Sequence, residues 1–265
     1  MELFGLGIQG GYTEDDIKEA ARAFSGWSVV GRKFKFLEEH HDRREKSLFG
    51  KGGVFSGEDA VDRVLAHPAC ARWIAWRLLH NFVLPEPEGA DVERFAKVLV
   101  EEQWHIGRTL GRIFRDPIFL GEGALRSRIA GPVELVAGII LTTRGEVPPV
   151  DAMRAAGVMG QSLFLPPTVK GWDGGRAWID PGTWLARHNW ISNFALAKGL
   201  KAKRAFGVIE RADAVDAVLH VLLPEGIDDE MRATLEAAAQ SAHSDGHALH
   251  KVAALVMTSH EFHLV

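Results

Sequence analysis

The tripeptide His40-His41-Asp42 places two imidazoles beside a carboxylate, and these residue types bind metals and transfer protons. In one interpretation, His41 and Asp42 form an oriented general base, or a metal site together with His40. The fold would then have to bring Glu134 or His188 close to complete a metal-assisted hydrolase. In the other interpretation, the three residues form a solvated turn in which Asp42 bonds to its own backbone. Because no neighbouring motif supports catalysis, no catalytic residue is assigned and no cofactor is expected.

Three histidines near the C-terminus, His243, His247 and His250, follow one another at spacings of four and three residues. On an unbroken helix this spacing would place three imidazoles on one face, as in a metal site. Asp245 and Gly246 interrupt the pattern, and we expect them to end one helix and cap the next. The histidines would then point apart, so the sequence predicts no metal site here.

Four tryptophans recur at intervals of six residues within a stretch rich in proline and glycine. They are Trp172, Trp178, Trp184 and Trp190. Their rings could stack on a sugar or polymer, while the neighbouring Arg187, His188 and Asn189 supply hydrogen-bond donors. Alternatively, the tryptophans pin a long loop to the body of the protein by burying large areas.

Arg126, Arg128 and Glu134 flank the start of one predicted helix, where cap and ion-pair chemistry explains them.

Several classes of function lack support in the sequence. The segment Gly50-Lys51-Gly52-Gly53 is not a phosphate-binding loop, because Glu45 stands where that motif needs a glycine and no Ser or Thr follows the lysine. No Gly-x-Ser-x-Gly elbow is present, so no sequence motif supports hydrolysis by a serine nucleophile. The net charge is −4 and the cations are scattered, which argues against nucleic acid as a partner. The single cysteine, Cys70, is expected to be a small buried apolar residue.

The chain has 265 residues, of which 46% are hydrophobic and 25% charged, enough for one large domain or two small ones. Alternation over Trp27–Phe36 and again over Ser47–Phe55 predicts one small β-hairpin, with the His-Asp segment in its charged turn. Gln161–Asn189 is too long for an ordinary connection and predicts a structured loop. The predicted fold is therefore mainly α, a helical-hairpin bundle with one small β-hairpin and a long Trp/Pro/Gly-rich structured loop. We expect a single domain over 1–265, with a candidate sub-boundary near 195–210.

Taken together, the ordered motifs resemble a bacterial family catalogued as domain of unknown function 1800. The N-terminal motifs are Glu2-Leu3-Phe4 with Leu6-Gly7, Tyr12 to Trp27, Phe34-Lys35-Phe36, His41-Asp42 with Lys46 and Gly50, and His67 to Ala71. The later ones are Pro132-Val133-Glu134, Met159-Gly160-Gln161, Pro166-Pro167 through Gly171-Trp172, Gly174-Gly175, Trp178, Leu185-Ala186-Arg187, and Ser259 to Phe262. Arg128 stands near where the family usually shows a lysine.

The resemblance implies an α-helical fold but no established activity, substrate or catalytic residue. Family members look about twice as long, with a helical N-terminal half and commonly an export signal, so this chain is expected to match their C-terminal half. As the chain stands, it has neither a signal peptide nor a membrane span, and it is expected to be cytoplasmic, or periplasmic if the N-terminus is incomplete. A frequent genomic neighbour in the family is a secreted protein similar to sulfatases and phosphatases. If the fold needs the N-terminal half, an exposed apolar patch larger than a few hundred Å² is expected on a monomer.

Aromatic density without a catalytic signature favours a non-enzymatic binding or assembly module, for a polysaccharide or for a partner hydrolase. The metal-assisted hydrolase remains the alternative. In the preferred interpretation, the stretch Gln161–Asn189 is the contact surface. This binding interpretation requires that Trp172, Trp178 or Trp184 be at least partly exposed beside Arg187. The candidate binding residues are Gln161, Trp172, Trp178, Trp184, Arg187 and Asn189.

Overall fold

A computed structural model describes residues 1–196, 199–207 and 210–265. The chain divides into two compact units, Met1–Ala124 and Leu125–Val265. Both are mainly helical, which confirms the predicted fold class. No helix among the described residues combines the length and the apolar character needed to cross a membrane.

The predicted sub-boundary near 195–210 falls inside the second unit. Residues 197–198 and 208–209, which belong to this range, lie outside the described residues. The division between the two compact units comes instead after Ala124.

The helices of the first unit begin at the capping signals that the sequence contains. Thr13 accepts a hydrogen bond from the backbone N–H of Asp16 (3.1 Å), and the Asp16 carboxylate accepts one from the backbone N–H of Thr13 (2.8 Å). Ser56 and Asp59 form the same reciprocal cap at the second helix. The helices are α1 (Glu14–Ala23), α2 (Gly57–Leu65), α3 (Pro68–Phe82), α4 (Gly89–Glu101), α5 (Ile106–Ile113) and α6 (Pro117–Leu120).

Two separate β-hairpins stand where the sequence predicted one. Their strands are β1 (Trp27–Val30), β2 (Lys33–Phe36), β3 (Lys46–Leu48) and β4 (Lys51–Gly53), with β1 antiparallel to β2 and β3 to β4. Each alternating stretch folds back on itself through a two-residue turn whose central residues both have positive φ angles, the geometry that tight hairpins prefer. His40, His41 and Asp42 therefore lie in the connection between the hairpins and not in a hairpin turn.

Gly26, directly before β1, is a backbone position where a side chain would be strained. Its φ is +85°, and an added Cβ would lie 2.7 Å from the carbonyl oxygen of Leu37. We expect Gly26→Ala to lower the free energy of unfolding by about 2 kcal/mol, from left-handed strain and the backbone clash together. Gly31→Ala is the matched control, because Gly31 also has a positive φ but open space around it, and it should cost about 1 kcal/mol.

Urea denaturation followed by circular dichroism measures both variants. Equal losses for the two substitutions would mean that the backbone next to Gly26 moves away from the new methyl group. The contact with Leu37 would then not constrain the entry into β1.

The second unit is organised around its last α-helix, against which three other long helices pack. Its helices are α7 (Pro132–Thr142), α8 (Pro149–Val158), α9 (Pro181–Leu196), α10 (Ala202–Phe206), α11 (Ala214–Leu222), α12 (Asp229–Gln240) and α13 (Asp245–Thr258). Helix α13 packs against α9, α11 and α12 and buries Leu249 and Val252 among Ile191, Val218 and Leu235. This apolar core supplies the main stabilisation of the unit.

The first and last residues of the second unit pair with each other. Arg128 and Val265 exchange two backbone hydrogen bonds of 3.1 and 2.7 Å, and the backbone N–H of Ala130 donates to the carbonyl of His263 (2.9 Å). An isolated antiparallel bridge joins Ile129 to Leu264. This pairing positions the start of α7 beside the C-terminus.

The predicted loop Gln161–Asn189 is shorter in the structure, because α9 begins inside it. Asp180 accepts hydrogen bonds from the backbone N–H groups of Gly182 (2.7 Å) and Thr183 (3.1 Å), and Pro181 occupies the first helical position. We refer to residues 161–180 as the Trp loop. Trp184, Arg187 and Asn189, which the sequence analysis placed in the loop, lie on α9.

Candidate functional site

Two of the predicted site residues occupy the N-terminal end of α7. The Gln161 amide oxygen accepts a hydrogen bond from the backbone N–H of Val133 (3.0 Å). The Glu134 carboxylate accepts one from the backbone N–H of Gly131 (3.0 Å) and pairs with Arg128 at 2.6 and 2.8 Å. Arg128 and the Gly131 amide hold the pKa of Glu134 below its usual value. Gln161 and Glu134 thus satisfy free amides at a helix start, where acceptors are most needed.

Trp178 and Trp172 lie at the same end of α7. A Cβ built on Gly131 would be 3.4 Å from the Gln161 oxygen and 3.5 Å from Trp178 Nε1, so both side chains crowd this glycine. The Trp178 side chain is only 9% exposed, whereas Trp172 is half-buried, and the two rings are tilted with centroids 6.5 Å apart. The structure therefore brings together Gln161, Trp172, Trp178 and Glu134, and Trp178 mainly fixes the loop to the second unit.

Arg187 is fully buried in the interior of the second unit. One terminal nitrogen donates to the carbonyl of Ala130 (2.9 Å), and the other lies 3.3 Å from Nδ1 of His263. Its Nε atom has no hydrogen-bond partner, and no carboxylate among the described residues forms an ion pair with it. Burial lowers the pKa of Arg187 to about 10, which still leaves it charged at neutral pH. The guanidinium connects α9 to the segment before α7.

His263 is the second buried polar residue of this cluster. It is 2% exposed, its ring centroid lies 4.7 Å from that of Trp184, and it stacks in parallel with His188 at 6.4 Å. Burial, followed by the positive charge of Arg187, lowers the pKa of His263 to about 4. The imidazole is therefore neutral at pH 7, and its Nδ1 can accept a hydrogen bond from Arg187.

The geometry around Arg187 suits a structural connection. The sequence analysis treated Arg187 as a donor at a contact surface, but the structure places it in the interior. Trp184 is half-buried and contacts the cluster through His188 and His263, with centroids 4.8 and 4.7 Å away. The partly exposed tryptophan that the binding interpretation requires is present, while the adjacent arginine is not exposed.

Asn189 lies on another side of α9, away from this cluster. It is exposed and lines a groove of about 480 Å³ between α8 and α9, together with Asp151, Arg154, Trp190 and Asn193. Since it neither contacts Trp184 nor belongs to the Trp loop, the six candidate binding residues do not form one continuous surface.

The His-Asp segment is held by arginines of the first unit. Arg44 (2.6 Å) and Arg22 (2.9 Å) both pair with the Asp42 carboxylate and hold its pKa well below the usual value. Nδ1 of His41 lies 2.9 Å from the carbonyl oxygen of Ser25, and His40 is exposed. With both of its oxygens bound by guanidinium groups, Asp42 orders this connection and does not orient His41 as a base.

The other residues of the hydrolase alternative, Glu134 and His188, belong to the second unit. Glu134 pairs with Arg128, and Nδ1 of His188 lies 3.3 Å from the carbonyl oxygen of Trp184. Within 1–196, 199–207 and 210–265, no group of three or more His, Cys, Asp or Glu residues is arranged to hold a metal ion.

The C-terminal histidines differ from the prediction in two respects. The helix break is present, but Ser244 caps α13 by accepting from the backbone N–H of His247 (3.2 Å), whereas Asp245 and Gly246, which were expected to end one helix and cap the next, lie inside α13. The expectation that the histidines point apart was wrong for His243 and His247, whose rings stack with centroids 3.9 Å apart. Ser244 turns the chain so that residues on either side of the break meet. Nδ1 of His250 lies 2.6 Å from the carbonyl oxygen of Gly246.

The Trp loop also contains an exposed apolar segment that sequence reasoning missed. Phe164 is 94% exposed, Leu165 75% and Val169 87%. The available signal was the run Leu163-Phe164-Leu165 directly before two prolines, where no helix or strand could bury it.

A comparison with known protein families covers nearly the whole chain. The family model described as "Protein of unknown function (DUF1800)" matches residues 1–264. The chain belongs to the DUF1800 family. No curated protein and no solved structure shows significant similarity to it. In this DUF1800 chain, the motif residues Glu134, Gln161, Trp178 and Arg187 meet at or next to the start of α7.

Proposed function

We propose that this DUF1800 chain is a non-enzymatic binding or assembly module that docks a partner protein through the Trp loop. The observation that carries the proposal is the almost complete exposure of Phe164, with Leu165 and Val169 exposed in the same loop. Large apolar side chains grouped on a surface are typical of interaction sites, because leaving them in water is unfavourable.

A neighbouring groove extends this apolar surface. It has a volume of about 390 Å³, lies between α7 and α8, and is continuous with the Trp loop through Leu163. Leu141 and Met153 line it and remain exposed. Loop and groove therefore form one apolar surface that extends beyond the Trp loop itself.

The chemistry of the exposed side chains favours a protein over a polysaccharide. Sugars stack on open aromatic faces and need polar groups around them, but Trp178 is buried and Trp172 half-buried. The polar groups of Gln161 and Glu134 are already bound to backbone amides of α7. The freely exposed residues are a phenylalanine and aliphatic side chains, and the fully buried core of a protein interface is more apolar than its rim.

The test replaces Phe164 and Leu165 together by serine. The secreted sulfatase-like proteins associated with the family are the first partners to try, in purified form. We expect the double variant to weaken binding about 30-fold, because truncating an apolar hot spot costs about 2 kcal/mol. Isothermal titration calorimetry measures the dissociation constants of the native chain and the variant.

Leu185→Ser is the matched control, because Leu185 is also exposed and lies on α9, outside the Trp loop. The control should bind like the native chain. Equal affinity of the native chain and the Phe164/Leu165 double variant would contradict the docking surface. Retention on a polysaccharide that is lost in Trp172→Ala, but not in the double variant, would favour the polysaccharide alternative.

A further inference from the structure

The β1–β2 hairpin presents an apolar face to solvent. Cross-strand pairing joins Trp27 to Phe36 and Val29 to Phe34, so these four side chains lie on the same face of the ribbon. Val29 is 74% exposed and Phe34 60%, and the other two are also exposed. The described part of the chain therefore leaves this face uncovered.

The base of the hairpin is fixed to the first unit, so the exposed face is held in place. The Trp27 ring meets the edge of Phe24 with centroids 5.0 Å apart, and the Phe36 ring meets His41 at 5.4 Å. Gly57 allows the close approach of Trp27, since a Cβ there would be 2.7 Å from the indole. Val29 and Phe34, nearer the turn, have no comparable contact with the unit.

The same hairpin carries positive charge at its turn and on its other face. Arg32, Lys33 and Lys35 are exposed, no acidic residue occurs between positions 27 and 37, and none of the three cations forms an ion pair with a described residue. Lys33 and Lys35 pair with Val30 and Ser28 on the opposite face of the ribbon. Arg32 has φ +66° at a turn position that usually holds glycine or asparagine. The turn thus carries a cation where a smaller residue would fit with less strain.

We propose that this hairpin binds the surface of an anionic phospholipid membrane. Val29 and Phe34 enter the headgroup region, while Arg32, Lys33 and Lys35 contact lipid phosphates. Long cationic side chains can extend from the polar face to the headgroups while their stems cover apolar surface. The hairpin and the Trp loop belong to different compact units, so each surface can be tested without changing the other.

The dimensions of the hairpin favour a lipid surface over an acidic protein. Four side chains on a ribbon two strands wide offer roughly half of the about 800 Å² per partner that a standard protein interface buries. Shallow insertion into a bilayer needs a depth of only about 5–10 Å and no matching contour. Cations that form no ion pair with a described residue also match a surface that is uniformly negative.

Co-sedimentation of the full chain with vesicles tests the proposal. Vesicles of phosphatidylcholine alone are compared with vesicles that also contain phosphatidylglycerol, at low and at high salt. We expect binding to the anionic vesicles, weakened by salt, and a loss of roughly fivefold in affinity for each of Lys33→Gln and Lys35→Gln. Val29→Ser together with Phe34→Ser should weaken binding by at least about tenfold.

Lys97→Gln and Val100→Ser, both at exposed positions of α4 in the same unit, are the matched controls and should bind like the native chain. Lipids with brominated acyl chains provide a second readout, because bromine quenches the fluorescence of a tryptophan close to it. These lipids should quench part of the tryptophan fluorescence of the native chain, and this quenching should be absent in Trp27→Phe. Circular dichroism confirms that each variant is folded.

Failure to sediment with anionic vesicles at low salt would overturn the proposal. Binding that the control substitutions weaken as much as the hairpin substitutions would also overturn it, because the contact would then not involve this face.

Discussion

Because of His263, we expect the unfolding free energy of the native chain to fall by about 3 kcal/mol between neutral pH and about pH 4. Replacing His263 by glutamine should abolish this decrease. Burial and the charge of Arg187 lower the pKa of this imidazole from 6.5 to about 4 in the folded chain. The variant should be less stable than the native chain at neutral pH, because it loses the ring contacts with Trp184 and His188. Its stability should nevertheless fall less steeply with acid.

The sign of the effect follows from proton binding. Between about pH 4 and 6.5 the unfolded chain protonates His263, while the folded chain keeps it neutral. The unfolded state then binds more protons, so acid favours unfolding throughout this window. Above pH 6.5 both states are neutral at this position, and below about pH 4 both are protonated, so the contribution of His263 is constant at either end.

Urea denaturation at a series of pH values, followed by circular dichroism, measures the difference between the native chain and His263→Gln. The carboxylates with lowered pKa values, such as Glu134 and Asp180, lose their stabilising contribution below their ordinary values of 4.5 and 3.8. Their titration therefore lies mostly below the histidine window. His247→Gln is the comparison, because burial also lowers the pKa of His247 but no arginine faces it. Parallel curves for the native chain and His263→Gln would show that His263 does not titrate differently on folding.

Local signals in the sequence mark the starts of several helices. Thr13 and Ser56 each stand three residues before an aspartate, and Pro68 and Pro132 each open a helix, so these starts could be predicted without any knowledge of the fold. Such signals act over one helical turn, and tertiary packing rarely overrides them.

The errors arose where two local patterns compete. Gly31-Arg32 forms a tight turn, but arginine is uncommon at the second position of such turns. A hairpin was therefore not predicted there, as it would have been for Asn-Gly or Gly-Gly. Asp180-Pro181 is a helix start, yet the glycines and prolines before it favoured a continuing loop. In both cases the local sequence is compatible with two structures, and the prediction chose the wrong one.

The cluster at the start of α7 could not be predicted, because its contacts join distant parts of the chain. Ala130, Arg187 and His263 are brought together by a two-stranded bridge at the C-terminus, which has no periodicity to reveal it. The family resemblance identified Arg187 and the segment just before His263, but resemblance alone gives no direction to a side chain. The residue type alone does not distinguish a buried arginine from an exposed one.

Replacing Arg187 by alanine should lower the free energy of unfolding by about 4 kcal/mol. The change leaves a cavity in the core and deprives the Ala130 carbonyl of a donor, costs of about 2–5 and 1–3 kcal/mol respectively. The removal of a buried cation that has no carboxylate partner offsets part of this loss. Because a whole side chain is lost, the cavity outweighs the gain.

Arg187→Met separates the contribution of volume from that of charge. Methionine fills most of the space without bringing a charge into the interior, so this variant should lose only about 1 kcal/mol. It should also raise the pKa of His263, since Arg187 is one cause of the lowered value. Acid should therefore destabilise Arg187→Met less than it destabilises the native chain.

Urea denaturation of the two Arg187 variants, each with and without His263→Gln, completes a double-mutant cycle for the pair. A loss in Arg187→Met as large as in Arg187→Ala would mean that the hydrogen bonds to Ala130 and His263 dominate over the packing volume. The expected order, native above Met above Ala, would instead mean that the interior retains Arg187 mainly for its bulk.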